Sequence, residues 1–239
     1  MKKPKISAIV STYNSEEFME GCLENLLEQT ALPDMEILVI DSGSRQNEKG
    51  IVRRFIEAGA PIRYFRTRRE GLYHAWNRGI RLARGRYITT ANTDDRSTPE
   101  AYENMASILD REKGTALVYS DFYHTTRKND SFRMKDRPEK RTLRRMPDYS
   151  PGMLFRYNMC GPRPMYRKSA HKKIGYFDPR YPSLADYDFW LRMSECYRMK
   201  RIPFPLTLYY VNRKGVYFRH GPTNPRQAWQ ICLKHMKRG

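Results

Sequence analysis

The chain has 239 residues, which is enough for one large or two small domains with a buried core. Hydrophobic residues make up 39% of it and aromatic residues 13%, and no apolar run approaches the roughly eighteen residues of a membrane span, so the composition excludes a disordered chain and predicts a soluble domain. Lys and Arg number 45 against 26 Asp and Glu, and the net charge of +19 favours anionic partners: nucleotide diphosphates, acidic glycans, anionic lipids or nucleic acid.

The cysteines and the N-terminus indicate the compartment. The four cysteines form no C-x-x-C or Cys/His spacing, so neither a zinc site nor a disulfide framework is predicted for Cys22, Cys160, Cys196 and Cys232. A reducing compartment follows, and we expect a cytoplasmic location. The first residues are too short for a secretory signal and lead directly into a predicted strand.

Strands and helices alternate through the first half of the chain. Residues 5–12 form a compact apolar run, and Ser15 is predicted to cap the helix that follows it. Strands at 35–40, 62–65 and 87–91 and helices at 47–58 and 71–84 continue the alternation. This order predicts an α/β fold with a parallel sheet.

Polar side chains follow the carboxyl ends of these strands. Because ligands bind beyond the carboxyl ends of strands in open α/β sheets, we expect Thr12, Asp41 and the adjacent pair Asp94 and Asp95 to converge in one crevice. Two adjacent carboxylates repel each other unless a cation lies between them, so the pair predicts a hard divalent metal with phosphate oxygens. The alternative is that the pair only shapes a turn and caps the next helix. Arg66, Arg68 and Arg69 lie just past the third strand, where phosphate contacts and surface charge are both plausible.

The second half is less regular. A helix at 99–110 and a strand at 116–119 lead to residues 122–146, which we interpret as a hairpin and a mobile loop. Residues 147–165 show no helical period, and a short strand at 163–167 precedes a helix at 169–174. A helix at 185–197 places Asp186 in its first turn and Asp188 on a different side. Pro203 and Pro205 are expected to break the strands between 201 and 211, and residues 227–237 predict a basic amphipathic helix, with Trp229, Ile231, Cys232 and Met236 available for packing.

Several motifs resemble the family 2 inverting glycosyltransferases of the GT-A fold. The resemblance covers residues 5 to 120 closely and returns near Asp186; the segments that carry it are Ile9-Val10-Ser11-Thr12-Tyr13-Asn14, Ile37-Leu38-Val39-Ile40-Asp41-Ser42-Gly43-Ser44, Asn77-Arg78-Gly79-Ile80, Ala83-Arg84-Gly85, Asp94-Asp95 and Ala185-Asp186-Tyr187-Asp188-Phe189-Trp190-Leu191-Arg192. It implies a Rossmann-like α/β sandwich, with a mostly parallel central sheet and helices on both faces. We expect residues 1–121 to form the nucleotide-sugar half, residues 122–212 the acceptor half with a basic loop, and residues 213–239 a basic helix and tail.

The resemblance also implies roles for single residues. Asp41 would contact the nucleoside, Asp94 the ribose or the metal, and Asp95 the metal, which would be Mn²⁺ or Mg²⁺. We place Thr12 and Arg68 with them as candidate nucleotide contacts. Asp186 matches the position of the general base that takes the proton of the acceptor.

The chain departs from the family pattern at two positions. Asn92 stands where the family usually has an acid, so one potential metal ligand is neutral. Ala185 replaces the usual Glu before Asp186, which leaves the base in place but removes an expected contact to the acceptor. His220 is a further candidate for a metal or phosphate contact, although a lone histidine is more often structural.

The resemblance implies transfer of a sugar, with inversion and metal assistance, from a nucleotide-diphosphate sugar to a hydroxyl of a glycan or lipid-linked acceptor, with UDP as the expected nucleotide. The alternative is a non-catalytic glycosyltransferase-like module that binds glycan or an anionic surface. No G-x-G-x-x-G follows the first strand, no P-loop is present, and no motif indicates specific nucleic-acid recognition. Two basic segments, residues 127–145 and the acid-free tail from Asn212, are either solvated charge or a contact with the inner face of an anionic membrane.

Overall fold

A computed structural model of the chain describes residues 3–132, 141–213 and 225–236. The strands are β1 (Ile6–Thr12), β2 (Met35–Asp41), β3 (Ile62–Arg66), β4 (Tyr87–Thr90), β5 (Arg96–Ser97), β6 (Thr115–Thr125), β7 (Arg141–Arg144), β8 (Met165–Arg167) and β9 (Arg198–Tyr210). The helices are α1 (Glu16–Leu27), α2 (Glu48–Glu57), α3 (Leu72–Leu82), α4 (Ala101–Arg111), α5 (Pro151–Arg156), α6 (Ala170–Ile174), α7 (Ala185–Ser194) and α8 (Pro225–Met236), with a 3₁₀ turn at Leu32–Asp34.

One mixed sheet runs through the fold in the order β3-β2-β1-β4-β8-β6-β9-β5, and β7 pairs with β6 at the side. The first four strands of this order are parallel, as the alternation of strands and helices predicts. Strand β8 joins them to β6 through antiparallel pairs, and β6 and β9 are again parallel to each other. The predicted α/β sandwich is confirmed, and its parallel half is the one that carries Thr12, Asp41 and the acid pair.

The central strands are buried on both faces, so alternate residues feed two separate cores. Ile9, Leu38 and Ile40 face a core that also receives α3 and α7. Their sequence neighbours face the opposite core, which receives α1, α2 and α4. Side chains alternate across a strand, and this gives the predicted helices on both faces.

Helix α3 lies unusually close to β1. A Cβ atom on Gly79 would stand only 2.5 Å from Cγ2 of Ile9, so only glycine permits this approach. The close packing brings the first turn of α3, with Tyr73 and Trp76, to the carboxyl end of β1. Trp76 Nε1 donates a hydrogen bond of 3.1 Å to Ser11 Oγ at that end.

Several local predictions are wrong for identifiable reasons. Ser15 precedes α1 but makes no side-chain cap; instead its backbone N–H donates 2.6 Å to Glu48 Oε1. The prolines do not break β9, because the register against β6 shifts beside Pro205 and absorbs the missing donor. Residues 151–156 form the short helix α5, capped by Ser150, although the region has no helical period.

Other predictions are confirmed or lie outside the described residues. The hairpin after β6 is present as the antiparallel pair of β6 and β7, whereas the proposed mobile loop falls largely in residues 133–140, which are not described. His220 and most of residues 213–224 are also outside the described residues. Strand β6 runs across position 121, where we place the boundary between the two halves. Within the described residues, no helix combines the length and apolar character needed to cross a membrane.

Candidate active site

The carboxyl edge of the parallel strands brings the first candidates together. Thr12 and Asp41 are direct partners in the register of β1 and β2. Strand β4 lies on the other side of β1, and the chain leaves its carboxyl end towards Asp94 and Asp95. The parallel topology therefore places Thr12, Asp41 and the acid pair at the same edge of the sheet, as predicted.

Asp41 is fully buried and already has three donors. Its Oδ1 accepts a bond of 2.7 Å from the Ser44 N–H, and its Oδ2 accepts from the Tyr64 hydroxyl and, at 3.3 Å, from Arg66 Nη1. Burial, and then Asp41 itself, raises the pKa of Tyr64. A carboxylate offers about four acceptor positions, so a nucleoside N–H would have to use the remaining one or displace a protein donor.

Beside Thr12 lies an acid that the sequence analysis does not identify. Glu48 is fully buried at the start of α2, and its Oε1 receives the Ser15 N–H at 2.6 Å and the Thr12 hydroxyl at 3.5 Å. Its other oxygen, Oε2, is buried without a hydrogen-bond partner in the described part of the chain. In the sequence, Glu48 is indistinguishable from an exposed acid in a first helical turn, which is why it is missed.

The arginines after β3 have different environments. Arg66 pairs with Asp41, and the Arg69 guanidinium lies over the Tyr13 ring, 3.6 Å from its centroid. Arg68 is exposed, and no side-chain hydrogen bond or ion pair to the described residues holds it. It is therefore free to meet a ligand, and its role as a nucleotide contact remains a prediction.

The acid pair has one accessible and one buried member. Asp94 is partly exposed, and its Oδ2 accepts a bond of 3.0 Å from Asn212 Nδ2. Asp95 is only 1% exposed, and its oxygens accept at 3.2 Å from Asn92 Nδ2 and from the Tyr210 N–H. Burial and the neighbouring charge of Asp94 raise the pKa of Asp95 to about 7, against the opposing charge of Arg163 and these hydrogen bonds. Asn92, which replaces a family acid, thus acts as a donor to Asp95.

Two buried arginines hold the loop that carries the pair. Arg163 is 1% exposed, and its Nη2 donates to the main-chain carbonyls of Asn92, at 2.8 Å, and Asp95. Arg96 is 2% exposed, and its Nη1 donates to the carbonyls of Thr93, at 2.7 Å, and Asp95, at 2.8 Å. The two cations fix the backbone of the loop and place positive charge beneath two carboxylates.

Asp186 lies in the first turn of α7, as predicted, and contacts the edge of the sheet through α3. Its Oδ1 accepts from the Tyr73 hydroxyl at 3.0 Å and from the Tyr187 N–H at 2.8 Å. Burial raises the pKa of Asp186, and the bonds from Tyr187, Tyr73 and Asn158 oppose the rise. Tyr73 packs edge-on against Trp76, with ring centroids 5.2 Å apart, and so links Asp186 to the end of β1.

Asp188 points to a different side of α7, as expected, and has a structural environment. It is fully buried between Arg192, at 2.9 Å, and Lys234 of α8, at 2.6 Å. Burial by itself would raise the pKa of Asp188, but hydrogen bonds from His235 and Lys234 and the charge of Arg192 hold it below its usual value. This residue joins α7 to α8.

Asp94 and Asp95 are the two described carboxylates for which we expect a role in metal binding. Among the described residues, no group of three or more His, Cys, Asp or Glu side chains is placed to hold an ion. Asp94 and Asp95 nevertheless fit a divalent cation, because they are adjacent carboxylates, Asp94 is partly exposed, and Mg²⁺-type ions commonly use one or two carboxylates together with substrate phosphates.

The sequence that forms these strands and helices matches a family model for glycosyltransferases. The model, described as glycosyl transferase family 2, matches residues 7–175. The chain belongs to glycosyltransferase family 2. Similar family members include the uncharacterised glycosyltransferase YwdF of Bacillus subtilis, which is 30% identical over 217 residues, or 88% of this chain and 76% of YwdF. A PGL/p-HBAD biosynthesis glycosyltransferase of Mycobacterium tuberculosis is 29% identical over 195 residues, or 80% of this chain and 70% of that protein.

Solved structures show the same fold. Staphylococcus aureus TarS (residues 1–349), solved with UDP-GlcNAc, gives a TM-score of 0.73 at 18% identity and covers 97% of this chain. The mannosyltransferase PcManGT of Pyrobaculum calidifontis, solved with GDP-Man and Mn²⁺, gives 0.68 at 18% identity and covers all of it. This family 2 chain spans 66% and 64% of those two structures. At such identities the likeness establishes the GT-A type fold.

Proposed function

We propose that this family 2 chain transfers a sugar from a nucleotide-diphosphate sugar to a hydroxyl of a glycan or lipid-linked acceptor, with inversion and with the assistance of Mn²⁺ or Mg²⁺. The observation that carries the proposal is the position of Asp186: a partly buried carboxylate in the first turn of α7, which accepts a hydrogen bond of 3.0 Å from the Tyr73 hydroxyl and is thereby tied to the sheet edge that bears the acid pair. Burial raises the pKa of this carboxyl, which makes it a stronger proton acceptor than an exposed aspartate.

The donor would occupy the crevice at the strand ends. Thr12 and Asp41 lie where the nucleoside would bind, exposed Arg68 could reach the diphosphate, and Asp94 the ribose or the cation. UDP is the proposed nucleotide by resemblance, and the UDP-GlcNAc bound by TarS supports it, whereas the GDP-Man bound by PcManGT makes GDP the first competitor to test.

The reaction needs one base and one displacement. The acceptor oxygen forms a bond to the anomeric carbon as the bond from that carbon to the diphosphate oxygen breaks, and the acceptor proton passes to the Asp186 carboxylate. Attack opposite the leaving group inverts the configuration. A divalent cation held by Asp94 and Asp95 would offset the charge that builds on the departing diphosphate. The buried Arg96 and Arg163 keep the carboxylates in place throughout.

We also propose a cytoplasmic location with peripheral contact to an anionic membrane. The described part of the basic segment 127–145 adds little to the membrane contact, because Lys128 and Arg141 form ion pairs with Glu17 and Asp130. Charges that are paired internally contribute less to attraction by lipid headgroups.

The test is a thermal-shift screen of UDP, GDP, CDP and dTDP and their sugars, with and without Mn²⁺. Ligand at a hundred times its dissociation constant stabilises the folded state by about 2.7 kcal/mol, so binding is readily detected. We expect one nucleotide series to raise the melting temperature, and Mn²⁺ to enlarge the shift. Absence of any shift contradicts the donor site. Binding without release of free nucleotide diphosphate in the presence of a panel of acceptors would instead favour the non-catalytic module.

A further inference from the structure

Helix α8 packs on the protein mainly through polar side chains. Lys234 Nζ and His235 Nε2 contact Asp188 Oδ1 of α7 at 2.6 Å and 3.2 Å. Gln227 Oε1 accepts a bond of 3.1 Å from the Ser183 hydroxyl. Ile231 is buried against the core and adds an apolar anchor to this inner face.

The outer face of α8 has the opposite character. Trp229 and Met236 are each 63% exposed, and Leu233 lies between them at partial exposure. Positions i, i+4 and i+7 share one side of a helix, so these three side chains form a single apolar stripe, with the exposed Arg226 beside it. An ordinary surface helix buries its apolar side and exposes its polar side. In α8, by contrast, Trp229 and Met236 are exposed while Lys234 and Gln227 contact the protein.

We propose that the stripe Trp229, Leu233 and Met236 docks into the interface of an anionic lipid bilayer. A helix of 12 residues is about 18 Å long, which is too short to span a bilayer but suited to lie in the headgroup region. Tryptophan favours that region because its ring is apolar and its N–H is polar. The stripe is the anchor, and the exposed Arg226 beside it, together with the net charge of +19 on the chain, supplies the attraction.

Charge complementarity favours a lipid surface over a second copy of the chain. From Asn212 to the C-terminus the sequence contains seven basic and no acidic residues, and the whole chain carries +19. Joining two copies through this helix would bring together two chains of strong positive charge, each with Arg226 beside the stripe, whereas each cation near an anionic bilayer contributes roughly 1 kcal/mol of attraction. Two signals of this kind, apolar insertion and a cationic surround, together give stable peripheral binding.

The position of α8 gives the contact a consequence for the reaction. Asp188, which holds Lys234 and His235, lies two residues after Asp186 on α7. A bilayer under α8 would therefore lie on the acceptor side of the site and favour a lipid-linked acceptor. The docking deepens the proposed membrane contact, and this consequence for the acceptor rests in addition on the proposed sugar transfer.

Trp229 provides a direct probe of docking. The other two tryptophans, Trp76 and Trp190, are 6% and 3% exposed, so a change in emission on binding reports Trp229. We expect the full chain, mixed with vesicles of phosphatidylglycerol and phosphatidylcholine in equal parts, to show a blue shift and quenching by lipids brominated on the acyl chains. Vesicles of phosphatidylcholine alone should give neither.

A matched pair of variants distinguishes binding through the stripe from non-specific adsorption of exposed apolar side chains. Trp229→Gln should lower the partition coefficient on the mixed vesicles by at least about tenfold, since a large apolar contact is lost. Phe204→Gln removes a side chain that is 64% exposed on β9 and should change it by less than about twofold. Both variants should keep the wild-type melting temperature, because neither side chain is buried.

Three results would overturn the proposal: equal partitioning of the wild type and Trp229→Gln, equal binding to the two kinds of vesicle, or self-association of the wild type that Trp229→Gln abolishes, which would assign the stripe to a second copy. Vesicle binding by a chain that shows no nucleotide-induced thermal shift would contradict the proposed function and leave the docking surface intact.

Discussion

The Tyr73 hydroxyl lies 3.0 Å from Asp186 Oδ1, and this contact joins the first turn of α3 to the first turn of α7. Tyr73 is itself buried, and burial together with the charge of Asp186 keeps its pKa well above the usual value, so its hydroxyl stays a donor throughout the working pH range. The carboxylate is thereby oriented and, when charged, stabilised. Two predictions concern this pair.

Asp186→Asn should lower turnover by about 10² to 10⁴, because the amide keeps the shape and accepts the Tyr73 bond but cannot take a proton. Donor binding, measured as the nucleotide-induced thermal shift, should be unchanged. Glu57→Gln, an exposed acid on α2, is the control. Asp188 is not a neutral control, since its loss would leave Lys234 and Arg192 without their buried partner. Sugar transfer at near the wild-type rate would remove Asp186 from the mechanism.

Tyr73→Phe should shift the acidic limb of the kcat/KM profile to higher pH. The hydroxyl bond stabilises the charged form of Asp186 and lowers its pKa, so removing the bond raises the pKa and keeps the base protonated to a higher pH. A purely structural role for Tyr73 would reduce activity at every pH without moving the limb, and that outcome would contradict the assignment. The pH profile with a fixed donor concentration makes the distinction.

Asp95→Asn should separate metal binding from stability. With a pKa of about 7, Asp95 is already partly protonated at neutral pH in the metal-free protein, and Asn resembles that neutral form. We expect the free energy of unfolding without metal at neutral pH to fall by no more than about 1 kcal/mol or to rise, because a buried charge repelled by Asp94 is removed.

The Mn²⁺-dependent part of the nucleotide-induced thermal shift should disappear in the same variant. Asp186→Asn serves as the comparison, since it should keep that part in full. An unchanged Mn²⁺ effect in Asp95→Asn would show that the cation binds elsewhere or not at all.

The sequence predicts the polar residues at the strand ends well, but it does not predict the buried residues that hold their loops in place. Thr12, Asp41 and Asp94 are found by asking which polar residues follow apolar runs, and parallel topology then places them at one edge. Arg163 illustrates the limit. In the sequence it is one of 45 basic residues, yet it is 1% exposed and bonds the loop of the acid pair from 68 positions away. From sequence alone, an arginine is expected on the surface. Only the folded structure shows the main-chain carbonyls that bind the Arg163 guanidinium in the interior.

In the C-terminal half, prediction from sequence is limited for a second reason: tertiary contacts override the local conformational preferences of single residues. Pro203 and Pro205 predict a broken strand, but pairing with β6 on one side and β5 on the other carries β9 through them, with shifts in register. The amphipathic pattern of α8 is predicted correctly, but not its orientation. The contacts of Lys234 and His235 with Asp188 fix which side faces the protein, and this partner lies 46 and 47 positions away in the sequence.

The pH dependence of stability should have a distinct contribution from His171, which lies in an aromatic cluster. Its ring stacks on Phe189 and Tyr176 with centroids 4.8 Å and 4.9 Å apart, and its Nδ1 and Nε2 contact the Gly175 carbonyl, at 2.8 Å, and the Tyr166 hydroxyl, at 3.2 Å. Burial lowers the pKa of His171 to about 4, with nearby cations adding to the effect and the Gly175 bond opposing it.

A histidine that is held neutral in the folded state but titrates near 6.5 when unfolded gives its full contribution above about pH 6.5. As the pH falls from there towards 4, the unfolded state takes up the proton first, so folding loses about 2 to 3 kcal/mol through this residue. Urea unfolding across that interval should therefore show a steeper loss of stability for the wild type than for His171→Phe, whatever the baseline cost of the lost hydrogen bonds. Parallel slopes for the wild type and His171→Phe would mean that His171 is charged, or solvated, in the folded protein.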